Sequence, residues 1–194
     1  MLIQKSVRNY LKELSSDSPT PGGGSASALV GALGASLILM VARIVGKRAS
    51  TEQKKELDRA VRFLEKAHKD IQQVIDLDVR VYEALIKSYK AAKSIKNKNF
   101  AQKKIEAALG NSFRLQADLA LLVLMTKEAM IPVRRVSKGS IANDLIVAEG
   151  FLDAAFRGAI ATAKINLVYM KSPRKKHYKN GIENLEKRYK SVKV

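Results

Sequence analysis

Three places in this chain break the pattern of an ordinary helical protein, and each carries groups able to do chemistry. The first is Asp78, within Asp76-Leu77-Asp78. Leu64, His68, Ile71, Ile75, Asp78, Tyr82 and Leu85 follow steps of four and three, the spacing that keeps side chains on one helix face. An unpaired carboxylate on such a face is expensive to bury unless it protonates, finds a cation or has a chemical task such as moving protons. With 36 Lys and Arg in the chain, an inward salt bridge competes evenly with a functional role. His68, on the same stripe, reads as a satisfied core or interface histidine.

The second place is Pro21-Gly22-Gly23-Gly24-Ser25, immediately ahead of a helix. Three consecutive glycines are costly in conformational entropy, so the backbone there either turns sharply or approaches a ligand closely. The N-H groups of the helix that follows would suit an anion. A flexible inter-helix loop with Ser25 as N-cap explains the same residues. The third place is Asn143-Asp144, at the start of a long apolar helix. Capping chemistry accounts for an Asn or Asp in a first turn, but Asp144 also lies in register with Ala148, Phe151 and Ala155, which aims it toward the packed interior.

The elements that must position these groups are helical throughout, because no stretch shows two-residue alternation or hairpin turn signals. A short helix is expected over Leu2 to Leu14, then a breaker-rich loop to Gly24. A helix follows from Ser25, with seventeen uncharged residues from Ala26 to Ala42. Half of that run is Ala, Gly or Ser, so it predicts a central bundle helix or subunit contact rather than a membrane span. A long helical pattern covers Thr51 to Ala92, continuous or broken once, and Lys87 to Lys104 reads as a basic, solvated connector. Another helix runs from about Ala101 to Ala129, where Ile131-Pro132 should interrupt it. The last large helix, Ile141 to Met170, has two inward seams. One contains Leu145, Ala148 and Leu152, the other Phe151, Ala154, Gly158 and Ile165, which predicts a neighbour on each side. Residues 171–194 form a basic helix or tail. The expected architecture is all-α: a single-domain (1–194) up-and-down bundle of long helices, dimerising through helix packing.

Composition narrows the chemistry further. The 194 residues are 46% apolar, enough for a core without staples. There is no cysteine, which excludes disulfides, thiolate metal sites and cysteine nucleophiles, and only two histidines, His68 and His177. We therefore assign no metal. The amino terminus lacks an uninterrupted apolar region, so a cytoplasmic location is expected. A net charge of +18 attracts polyanions, but aromatics are only 6% with no Trp, which disfavours nucleic acid as the partner.

Taken together, these segments resemble the formiminotetrahydrofolate cyclodeaminase and methenyltetrahydrofolate cyclohydrolase family. Thr20 to Arg48 is similar to the family's PGGGS turn, Ala/Gly-rich helix and Gly-Lys pair. Asp76 to Tyr82 resembles its acidic motif, and Asn143 to Ala148 with Ile165-Asn166-Leu167 resembles its later helix. Asn143 stands where the family has Ser, and the expected Thr-Pro segment on the preceding helix is missing. The resemblance implies an all-helical homodimer that handles folate with no cofactor beyond the tetrahydrofolate substrate. The implied reaction is interconversion of 5,10-methenyl- and 10-formyltetrahydrofolate, or cyclodeamination of 5-formiminotetrahydrofolate. It further implies that Pro21, Gly22, Gly23, Gly24, Ser25 and Asn143 bind substrate. Lys47 would hold a folate glutamate tail, polyglutamylated forms included, with Asp144 first and Asp78 second as the acid/base or pterin-anchoring carboxylate. A non-catalytic folate-binding or structural dimer, and then a basic nucleic-acid-binding helical protein, are the competing readings.

Overall fold

The computed structural model describes all residues from Met1 to Val194. After a 3-10 turn at Leu2–Gln4 come six helices: α1 (Val7–Leu14), α2 (Gly23–Gly46), α3 (Thr51–Ser94), α4 (Lys98–Val136), α5 (Ile141–Tyr169) and α6 (Arg174–Ser191). The helices start where the sequence supplies caps. Ser50 and Gln53 form a reciprocal capping box at the head of α3, and Asn97 Oδ1 accepts from Phe100 N at 3.1 Å at the head of α4. The all-α expectation is met.

Helices α2 to α5 form the bundle, with α2 against α3, α4 and α5. Small residues let α2 sit close to its neighbours. A Cβ at Gly34 would lie 3.2 Å from the Ala148 carbonyl oxygen, and one at Gly31 would touch Ala155, Val123 and Ile71. Helix α2 is long and apolar enough to cross a bilayer, yet here it is the packed centre of the fold. Fully covered Ile38, Leu64, Ile71, Leu119, Leu124 and Leu152 mark the core, each contributing on the order of 2 kcal/mol by leaving water. Asp76 has a structural task, accepting from Leu2 N at 2.5 Å to pin the amino-terminal turn onto α3.

Several boundaries differ from expectation. Helix α2 begins at Gly23, so two of the glycines form its first turn. Pro132 does not interrupt α4, which continues to Val136. It stands within the last two turns, where the loss of one backbone hydrogen bond is tolerated. The basic connector shrinks to residues 95–97, because most of its lysines ride on the ends of α3 and α4. Of the two seams on α5, one is fully covered. Along the other, Gly158 meets α2, but Ala154 and Ala161 are exposed, Ile165 is 51% exposed and Val168 65%, so most of it has no neighbour within the chain. A matching stripe on α2 includes Leu33, Met40 and Ile44, all exposed.

Candidate active site

The amino terminus of α2 has no cap of its own, since the residue in that position is Gly22. Its cap comes from another helix. Asp78 of α3 accepts the Ser25 N-H on Oδ2 at 3.0 Å, so a carboxylate sits where the first-turn N-H groups and the helix dipole favour negative charge. Gln116 of α4 donates from Nε2 to Asp78 Oδ1 at 2.7 Å. Gly24 fits between them only because it lacks a side chain: a Cβ there would collide with Asp78 Oδ1 and Gln116 Nε2. Behind this layer, Ser25 Oγ donates to the Ile75 carbonyl at 2.9 Å and meets Tyr10 Oη at 3.1 Å, tying α1, α2 and α3 together.

In front of it opens a cavity of about 650 Å³, a size that suits a small organic ligand. Gly22, Gly23 and Gly24 form one edge; Asp78, Ser112 and Gln116 form the floor. Tyr82, Tyr89 and Tyr169 give aromatic walls, while Thr162 and Asn166 come from the end of α5. Asp78 is the one charged side chain lining it. Burial pushes the Asp78 carboxyl above its ordinary value, and the bonds from Ser25 and Gln116 pull it partly back. A carboxyl so balanced, beside a hollow and without a cation, can take up and release protons.

The sequence-level candidates divide sharply. Gly22, Gly23, Gly24 and Asp78 meet at the cavity. Pro21 and Ser25 are buried just behind it and position the turn rather than line the hollow. Asn143 and Asp144 lie at the other end of α5. Eighteen residues separate Asp144 from Thr162, about 27 Å along the helix axis, so within one chain Asp144 stands far from Asp78. Lys47 is exposed at the far end of α2 from the glycines. His68 is hydrogen-bonded to Ser36 Oγ at 2.9 Å, and burial lowers its pKa, with Arg43 adding to the effect. No group of three or more His, Cys, Asp or Glu side chains converges in a way that would hold a metal.

Gln116, Thr162 and the tyrosine walls were not singled out as site residues from sequence. A signal for Gln116 existed: it lies on the α4 seam Leu109, Phe113, Gln116, Ala120, Val123, where a carboxamide is as out of place as Asp78 is on α3.

Residues 6–184 match the family model described as Formiminotransferase-cyclodeaminase. A methenyltetrahydrofolate cyclohydrolase from Methylorubrum extorquens is 32% identical over 111 residues, covering 56% of this chain and 53% of that protein. The formimidoyltransferase-cyclodeaminase of Mus musculus is 27% identical over 168 residues, covering 86% of this chain and 31% of that protein. The chain thus spans about half, or less, of the curated relatives it matches. A solved structure of a formiminotetrahydrofolate cyclodeaminase from Thermotoga maritima superposes with a TM-score of 0.76 at 22% identity, over 99% of this chain and 93% of that one, which establishes the likeness of fold.

Proposed function

Because this chain belongs to the formiminotransferase-cyclodeaminase family, we propose that it is a folate one-carbon enzyme working at the carbon between N5 and N10 of tetrahydrofolate. The observation that carries this is the meeting of Asp78 with the triple-glycine edge in one aromatic-walled hollow. The reaction is either cyclodeamination of a 5-formimino group or interconversion of the methenyl and 10-formyl forms. In the first, N10 attacks the protonated formimino carbon, Asp78 passes the N10 proton to the amino group, and the C–N bond breaks to release ammonia. In the second, water attacks the methenyl carbon and gives a proton to Asp78, which returns it to N5 as the C–N5 bond breaks, while the proton left on the hydroxyl goes to solvent as the formyl C=O forms. One carboxylate serves both paths.

Purified protein assayed for loss of methenyl absorbance and for ammonia release from the formimino substrate tests this reading. Turnover of either supports it; turnover of neither overturns it. Lys87, Lys90 and Lys93 share the last turns of α3 with the cavity-lining Tyr89, and suit a folate's glutamate carboxylates better than Lys47 of the same chain. A KM that falls with added glutamates and rises with salt is expected in the same assay.

The uncovered α2 and α5 stripes support the homodimer as part of this reading. Both lie on helices that pack together, Gly158 of α5 facing Ser27 of α2. A twofold contact places the same patch on both subunits. If two α5 stripes pair antiparallel, the partner's Asn143 and the partner's Asp144 approach the Tyr169 end of this chain's α5, and so the cavity. Mixing Asp78→Asn and Asp144→Asn subunits then restores about a quarter of wild-type turnover, because one site in two is intact in each mixed dimer. No recovery after subunit exchange would remove Asp144 from the site.

A further inference from the structure

Gln116 is 1% exposed, and only one end of its carboxamide is occupied. Nε2 donates to Asp78, while Oε1 of this cavity-lining residue is buried with no partner. An unpaired buried carbonyl is disfavoured, so its retention asks for a donor that arrives with the ligand. Turning the amide over does not relieve it, because Oε1 would then face the acceptor Oδ1 of ionised Asp78. The orientation is therefore dictated by the charge on Asp78, which leaves the carbonyl as the unpaired end of the amide.

Asp78 oxygens each accept one bond from the protein and retain a free lone pair. The cavity floor therefore offers two adjacent acceptors from different helices. Two of the other polar groups in the lining are spoken for: Thr162 Oγ1 donates to the Gly158 carbonyl at 2.9 Å, and Asn166 Nδ2 to the Thr162 carbonyl at 2.8 Å, while Ser112 and the three tyrosines keep hydroxyls that bond nothing in the protein. No Lys or Arg lines the cavity to supply the missing donor. What fits two acceptors is a group carrying two hydrogens.

We propose that Gln116 Oε1 and Asp78 together cradle the two-hydrogen group exchanged at the one-carbon unit: the departing amino nitrogen in deamination, or the attacking water in hydrolysis. This rests on the folate reading above and assigns Gln116 a role that reading does not use. The pterin's own N-H pair could also meet two acceptors. That placement would spend the only charged group in the cavity on binding and leave this chain's site without its carboxylate proton carrier, so the one-carbon position is favoured.

Gln116→Met removes both ends of the amide in a similar volume, and Gln116→Asn keeps the amide but draws it back by one methylene. Kinetics with the formimino and the methenyl substrate distinguish nitrogen from water as the group held. For whichever substrate the wild type uses, kcat is expected to fall about 100-fold in Gln116→Met and about tenfold in Gln116→Asn. KM, and the affinity for tetrahydrofolate, which lacks a one-carbon group, should stay within about threefold. A folded variant that keeps wild-type kcat overturns the assignment. So does a loss of tetrahydrofolate affinity that matches the loss of turnover, which would put the pterin on Gln116. If Gln116→Met does not fold, Gln116→Asn decides by the same criteria. A wild type inactive on both substrates fails the folate reading itself and takes this inference with it.

Discussion

The seam of α4 carries two polar residues among apolar ones, Gln116 and, eleven residues later, Lys127. Both are almost completely buried, and they have opposite surroundings. Lys127 Nζ lies 3.2 Å from Glu149 and 3.0 Å from Asp153, and sits over the Tyr189 ring at 4.6 Å. Tyr189 Oη donates to Asp153 at 2.7 Å while its ring stacks on Phe156. Burial first, and then Asp153, push the Tyr189 hydroxyl far up, so it stays a donor. Every charge there has a counter-charge. At Gln116 the carboxylate has only neutral donors, one carbonyl oxygen has nothing, and a cavity opens above them. Closed valences fasten α6 to the bundle; open ones lie at the cavity. The contrast separates a buried polar group that is structural from one that is functional.

The sharpest way to break this contrast is at Asp78. Asp78→Asn should lower turnover about 1,000-fold by removing the proton carrier, measured by steady-state kinetics. Stability should move the other way with pH. Because burial raises the carboxyl above its unfolded value, wild-type Asp78 adds stability below the ordinary carboxylate range and loses that contribution as pH rises through the raised value. Turnover, which uses the ionised form, rises through the same interval. At neutral pH the Asn variant is therefore expected to unfold no earlier than wild type, because Gln116 can turn over to meet it. A variant that is both inactive and strongly destabilised would make Asp78 a structural cap and erase the distinction.

Gly24 ranks next. A methyl group there must displace Asp78 or Gln116, because neither the α2 backbone nor the two partner helices can retreat easily. Displacement on the order of 1 Å at the reacting groups costs about 100-fold in rate, so Gly24→Ala should lower kcat about that much. Gly46, where an added methyl group would meet nothing within 4 Å, provides the control: Gly46→Ala should leave turnover unchanged. Equal losses in both would point to helix distortion rather than to crowding of the site.

Much of the fold was legible because it is written in period and punctuation. The four-three stripe on α3, the breakers before α2 and the small residues of α2 each constrain local structure directly. The site was legible only in part. Asp78 stood out as an acid on an apolar stripe, and the glycines as an entropic cost. Gln116 broke the α4 stripe by the same rule but, being uncharged, made less contrast with its neighbours. Asp144 drew attention through register alone, which fixes a face and not a position along the axis. Being on the packed face of α5 did not put it at the end where the glycines lie. Pro132 shows the reverse limit: a strong local breaker yields when it falls near a helix end that packing already holds.

The smallest effect should come from the closed cluster, and it should touch stability alone. Lys127→Met keeps most of the side chain's packing but leaves Glu149 and Asp153 side by side without their cation. Breaking a fully buried pair costs about 3–5 kcal/mol. Asp153 is 48% exposed and Glu149 29%, so water takes up part of the uncompensated charge, and a loss of about 2 kcal/mol in denaturant unfolding is expected. Because Tyr189 is held through Asp153, the end of α6 should also become more open to proteolysis. Lys127 stands about 16 Å along α4 from Gln116, and nothing in its cluster lines the cavity, so kcat and KM of the folded variant should match wild type. A change in kcat without a change in stability would show that the two polar breaks on α4 are coupled, and that the closed one is not merely a fastening.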